Sequence, residues 1–286
     1  MFSHLLALLP TLFSFRIFRI LLVFLTGCAI LLLVMQAWHY LPVTGENVYP
    51  ESSGVLSALR WSRGLPLYQD FRKAPYLTTS FPPLWFALMA GAAKVTGADL
   101  DSLTRLGRIF SLLCLFGIAI AGYSWNQSLG LPSELSILAP AFFLSVPILV
   151  PWAVTARPDI LALLLSFVAV YTAANSASIT GVAIASGISS LAFLSRHNSV
   201  AAPVAIVLWL ASSRRWKHAF LFCSIWGLIV GSVFAFFQMT SGGSLLMNLA
   251  GGKFGQVSMS YARTLKPGIH ASLHTARNSE HRRTLA

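Results

Sequence analysis

Only eight of the 286 residues are acidic, against twenty lysines and arginines, so each carboxylate is a candidate for chemistry or for pairing. Asp159 stands in Thr155-Ala156-Arg157-Pro158-Asp159 at the mouth of an apolar run, where a carboxylate is costly unless it pairs or meets water. Glu46 stands in Gly45-Glu46-Asn47, Asp70 follows Tyr68-Gln69, and Arg196-His197 closes another apolar run. A carboxylate within reach of an acceptor hydroxyl or amine takes its proton. Guanidinium groups stabilise the negative charge that develops on a departing phosphate. Each residue also has a plain reading. Arg157 and Asp159 suit a local ion pair capping the next helix, because Asp is favourable at a helix N-terminus. Arg196 and His197 suit helix-end anchors, Glu46 a solvated loop acid, Asp70 a turn cap, and Lys94 a snorkelling side chain.

The elements that must position these residues follow from composition. Hydrophobic residues make up 56% of the chain and charged residues 10%, with a mean hydropathy of +0.72. A soluble domain carries about a quarter charged residues. Too few polar side chains exist to coat a water-facing surface, and apolar stretches of bilayer length recur, so the chain is an integral, multi-pass membrane protein. The net charge of +12 lies mostly in Lys and Arg beside apolar spans. Such residues orient a membrane protein and meet anionic lipid headgroups, so no nucleic-acid partner is implied. Cys28, Cys114 and Cys223 are isolated within apolar runs and read as small packing residues. No Cys-x-x-Cys or His-Glu-x-x-His pattern occurs, and no Gly-rich phosphate loop follows a plausible strand, so no metal ligands are assigned.

The expected fold is all-α, a polytopic transmembrane helical bundle of about seven spans. Residues 1–19, with Arg16 and Arg19, form a cytoplasmic N-terminus. The run from Ile20 to Trp38 is too long for the core of a cleaved signal peptide and ends in aromatics, as an anchor does. An outer loop follows at 41–104. Within it Glu51–Gly64 suits a short juxtamembrane helix, with Val55, Leu56, Leu59 and Arg63 at helical spacing and Gly64 and Pro66 ending it. Further apolar segments lie at 81–97, 105–125, 134–152, 160–174, 179–195, 199–212 and 219–238. The basic run Arg214-Arg215-Trp216-Lys217-His218 belongs in the cytoplasm, and it arrives there only if one earlier segment does not cross. The short 81–97, with Pro82, Pro83 and Lys94, suits an interfacial or dipping helix. The turns at 39–104, 153–159 and 195–199 then face outward together, bringing Glu46, Asp159 and Arg196 to one face. A basic polar tail at 240–286 completes the chain beyond the module at 20–239, and Asn278–Ala286 reads as disordered.

The order of short motifs is more specific than any residue alone. Glu46-Asn47-Val48-Tyr49 is followed by Gly64-Leu65-Pro66-Leu67-Tyr68-Gln69-Asp70, then Phe81-Pro82-Pro83-Leu84, Arg105, Arg157-Pro158-Asp159 and Arg196. Over roughly residues 20–250 this resembles the membrane glycosyltransferases of the GT-C superfamily, in particular the protein mannosyltransferase and aminoarabinose transferase relatives. The resemblance implies transfer of a sugar from a polyprenyl-phosphate donor to an acceptor on the extracytoplasmic face, in the plasma membrane if the source is bacterial. It implies Glu46 as catalytic base and Asp159 as the second acid, orienting the acceptor or holding a divalent metal ion. Arg105 and Arg196 would face the donor phosphate, with Asp70, Tyr68, Arg157 and His197 as further substrate-binding residues and Lys73 or Lys94 as helpers. Many relatives carry Asp or Asp-Glu where this chain has Gly45-Glu46-Asn47. Relatives also continue through more spans, which implies a short relative or a chain truncated near residue 250. Two other readings stay open: a transporter of lipid-linked sugars, which tends to place charges at mid-membrane depth, and a non-catalytic membrane scaffold. The sugar and the acceptor are not identified by the sequence.

Overall fold

The structure, a computed structural model, describes residues 16–47, 51–74, 76–146, 149–176 and 178–250. The expected disorder at 278–286, the tail beyond 250 and most of the expected cytoplasmic N-terminus lie outside the described residues. Among those described, the regular structure is helical throughout. Three helices are long and apolar enough to cross a membrane: α1 (Arg16–Tyr40), α4 (Leu100–Ser128) and α11 (Trp216–Thr240). At 1.5 Å per residue, 25 residues reach about 38 Å, beyond the roughly 30 Å of bilayer hydrocarbon. The remaining apolar segments form shorter helices: α8 (Asp159–Asn175), α9 (Ile179–Ser195) and α10 (Ala201–Ser212).

The expected juxtamembrane helix is α2 (Glu51–Ser62). Val55, Ala58 and Leu59 point into the core while Leu56 stays partly exposed. Gly64 ends the helix in the left-handed region at φ +82°, with its N–H on the Trp61 carbonyl and that of Leu65 on the Arg60 carbonyl. Glycine reaches that conformation without the steric cost of a Cβ. The 81–97 segment forms α3 (Pro83–Thr96), opened by Pro83 and closed by Gly97. Its 14 residues reach about 21 Å, and its face of Trp85, Phe86, Met89 and Ala93 is buried in the core.

The 134–152 segment is not one continuous helix. It divides into α5 (Ser133–Ser136), α6 (Leu138–Ser145) and α7 (Leu149–Ala153). Val146 is extended, at ψ 113°, and it precedes Pro147. A residue before proline is driven out of the helical region by contact with the ring.

Helix α4 organises the rest. Asp99 caps its start by accepting from the Ser102 N–H at 2.8 Å. Its buried stripe, including Leu103, Gly107, Arg108, Ser111, Leu115 and Ile118, repeats at helical spacing. Gly107 lets the chain around Ala156 close in, since a Cβ there would stand 2.6 Å from the Ala156 Cβ. The first loop, the start of α4, the 153–159 turn and the end of α9 thereby gather at one end of the bundle. The end of α4 and the start of α5 meet at the other end, where Asn126 donates to the Ser136 carbonyl. A helical stretch at 244–250 follows α11 and lies against the first loop, where the buried Asn248 binds Gln69 and Thr79.

Candidate functional site

The turn between α7 and α8 carries Arg157 and Asp159, and it is fixed from several sides. Ser111 of α4 donates to the Arg157 carbonyl, and the Ala156 N–H donates to Glu51 Oε1 at 2.6 Å. The Arg157 guanidinium lies 4.4 Å from the Trp152 ring centroid and 5.6 Å from that of Phe81. Cations are attracted to aromatic faces at such separations. Phe81 is itself held by Tyr68, whose hydroxyl donates to the Phe81 carbonyl at 2.9 Å.

Asp159 opens α8, and its Oδ2 accepts from Arg157 Nε at 3.1 Å. Its Oδ1 pairs with Arg196, the residue that closes α9. Both placements complement the helix dipoles, an acid at an N-terminus and a base at a C-terminus. The local ion pair expected for Arg157 and Asp159 therefore exists, without a side-chain hydrogen bond capping the helix, and it also recruits a second arginine from another helix. Burial lowers the pKa of both guanidinium groups from the ordinary arginine value. For Arg157 the charges of Glu51 and Glu46 oppose that shift; for Arg196 the charge of Arg157 adds to it. Two mutually repelling cations thus share one carboxylate, with the charges of Glu51 and Glu46 also acting on Arg157.

The Asp159–Arg196 pair faces a cavity of about 370 Å³. Asp159, Arg196, Ser166 and Ser199 supply its polar positions, and Leu149, Trp152, Ile160 and Leu163 supply apolar wall. The arrangement suits an anion attached to a greasy body. Among the described residues no group of three or more His, Cys, Asp or Glu side chains could hold a metal ion. Asp159, expected as one possible metal ligand, is instead engaged by two arginines.

The other expected residues distribute unequally. Glu46 is exposed just before α2, with Oε1 accepting from the Ser52 N–H at 3.1 Å, and its charge is felt at Arg157. His197 follows Arg196 in a turn and is half-buried. Tyr68 is buried, burial pushes its phenol above the ordinary range, and its hydroxyl is engaged by the Phe81 carbonyl. Asp70 pairs with Arg72 at the surface. Arg105 is exposed on the outer side of α4 and lines a different groove with Trp38, Pro42 and Ile109. The arginine that α4 turns inward is Arg108 instead. Lys73 and Lys94 are both exposed.

The residues that sequence reasoning missed are Glu51 and Arg108, both with fully buried side chains and paired at 2.8 Å. Arg108 donates to Glu51 through Nε and Nη2 and to the carbonyls of Tyr40, Val43 and Gly45. One signal for them was available. Arg108 falls on the Leu115 and Ile118 face of the α4 pattern, whereas Arg105 falls outside it. No family model matches the chain, and no curated protein or solved structure matches it significantly.

Proposed function

We propose that the chain is a membrane glycosyltransferase that moves a sugar from a polyprenyl-phosphate donor to an acceptor on the extracytoplasmic face. One observation carries this reading: Asp159 and Arg196 pair at the rim of an apolar-walled cavity, with Arg157 bound to the same carboxylate. A phosphate with a polyprenyl tail needs both halves of that arrangement, cations for the head and hydrocarbon for the body. In this reading the long and short apolar helices together cross the bilayer about seven times, in a GT-C-like layout, and the clustered end lies at the outer headgroup level.

The chemistry is an inverting displacement. The acceptor hydroxyl or amine gives its proton to Glu46 as its oxygen or nitrogen bonds the anomeric carbon. The bond from that carbon to the phosphate oxygen breaks, and the polyprenyl phosphate leaves with the electron pair. Arg157 and Arg196 meet the charge that develops on it, and Asp159 holds them in place. Glu46 suits the base because it is exposed beside the cluster, while the oxygens of Asp159 are occupied by guanidinium groups.

The test is transfer of labelled sugar from polyprenyl-phosphate donors in membranes carrying the protein, Glu46→Gln or Arg196→Ala. Loss in both variants supports transfer. Unchanged activity in Glu46→Gln removes Glu46 as base. Loss of donor binding in Arg196→Ala, with no transfer by the unaltered protein, favours a lipid-binding scaffold or transporter.

A further inference from the structure

We infer that Glu51 and Arg108 are positioning residues that set Glu46 and Arg157 relative to each other, an inference that rests on the transferase reading. Arg108 has five N–H donors, and each has an acceptor: two go to Glu51 and three to the carbonyls of Tyr40, Val43 and Gly45. The last of these carbonyls immediately precedes Glu46. Glu51 accepts from Arg108 twice, from the Asn47 N–H at 2.9 Å and from the Ala156 N–H at 2.6 Å. Asn47 follows Glu46, and Ala156 precedes Arg157. One buried pair therefore grips the backbone on both sides of the base and next to the cation that binds the leaving group.

The pair does not line the Asp159 cavity, and both side chains have no exposed surface, so neither can touch substrate. Its effect on chemistry must pass through the two segments it ties. A buried ion pair is weak evidence of stability in itself, since apolar replacements are often as stable. A role in geometry is the better account of seven converging hydrogen bonds from three separate parts of the chain.

The experiment compares Glu51→Gln and Arg108→Lys with the unaltered protein, all in lipid nanodiscs below their melting temperatures. The rate at which phenylglyoxal modifies Arg157 is read by mass spectrometry and referred to exposed Arg214. Positioning predicts a rise at Arg157 of about fivefold or more in either variant, with Arg105 unchanged. An unchanged Arg157 rate in a folded variant, even one with a lowered melting temperature, overturns it. An equal rise at Arg105 also overturns it, as general loosening.

A second measurement uses fluorescent polyprenyl phosphate. Glu51→Gln should weaken binding, and adding Arg157→Ala to it should weaken binding far less than Arg157→Ala does alone. Full additivity overturns the positioning role. No binding by the unaltered protein overturns the transferase reading instead, and Arg157 reactivity still decides the positioning role.

Discussion

A carboxylate and a guanidinium at the edge of apolar runs announce themselves, and Asp159 with Arg196 was legible for that reason. Each residue interrupts an apolar run where charge is expensive, so a partner had to exist. Which arginine of α4 turns inward was less legible, because Arg105 and Arg108 look alike as sequence, three residues apart near a helix start. The helix sets them about 60° apart, so Arg108 falls within the buried stripe while Arg105 lies past its edge and is exposed. Arg105→Ala should therefore leave the affinity for polyprenyl phosphate within about twofold of the unaltered protein, while Arg196→Ala should weaken it at least about tenfold, as expected for losing a charged hydrogen-bond donor. Titration of a fluorescent polyprenyl phosphate decides between them; the reverse order would return Arg105 to the site. Asp70 is separable on acid–base grounds. Hydrogen bonds from the Arg72 side chain and backbone hold its carboxyl down at about 2, below the ordinary value of about 3.9. A lowered folded value means that the pair adds stability above about pH 4 and loses it as pH falls towards 2. Because the pair is at the surface, the Asp70→Asn change in melting temperature should be small, shrink with salt and vanish near pH 2. A carboxyl held that low makes a poor base near neutral pH.

At the scale of elements, periodicity and punctuation did most of the work. The α2 helix was readable from Val55 and Leu59 with Gly64 behind them, and α9 from an uncharged, mostly apolar run between Ser178 and Arg196. The break in the 134–152 run was written in Pro147, yet its overall apolarity outweighed that mark when read as a single span. The approach of the 156 turn to α4 could not be read at all. Gly107 looks like any glycine in an apolar helix until Ala156, 49 residues later, is placed against it. That contact gives a sharp contrast between two helical glycines. Gly107→Ala would put a methyl group 2.6 Å from the Ala156 Cβ. The neighbour is a short side chain on a pinned backbone, so the turn itself must move, at a cost of about 1–3 kcal/mol. Gly91→Ala in α3 meets nothing within 4 Å and should stabilise by about 0.5–1 kcal/mol through lower backbone entropy. Thermal unfolding in detergent should order the three proteins as Gly91→Ala, unaltered, Gly107→Ala, from most to least stable. An unchanged melting temperature for Gly107→Ala would mean that the turn is looser than its contacts indicate.

The molecule as a whole is closed by contacts that no local pattern carries. Glu51 meets Arg108 across 57 residues and Ala156 across 105, and nothing at any of the three positions marks the others as partners. The longest such tie joins the first loop to the far side of α11. Asn248, fully buried, accepts from the Thr79 N–H at 2.9 Å and donates to the Gln69 carbonyl at 2.7 Å. The Thr79 hydroxyl in turn lies within hydrogen-bond distance of Ser57 Oγ and of the Leu67 carbonyl, with one proton to give between them. Phe237 packs edge-on against Trp61 and Tyr68 beside it. From the sequence, everything after Thr240 looked like a basic tail, because a single asparagine among Ser, Leu and Gly gives no sign of burial. Its position nonetheless makes the 244–250 stretch a support for Tyr68, and through Tyr68 for Phe81 and Arg157. Asn248→Ala would leave the buried Thr79 N–H without its partner, at about 1–3 kcal/mol, and the half-buried Gln69 carbonyl without its own, at less. Asn248→Asp should not rescue it, since a carboxylate can accept from Thr79 but cannot donate to Gln69. Both variants should melt below the unaltered protein in detergent and be cleaved sooner by trypsin at Arg63, Arg72 or Lys73. Equal melting and equal cleavage would mean that the first loop holds its shape without the end of the chain, and that Arg157 owes its place to α4 and Glu51 alone.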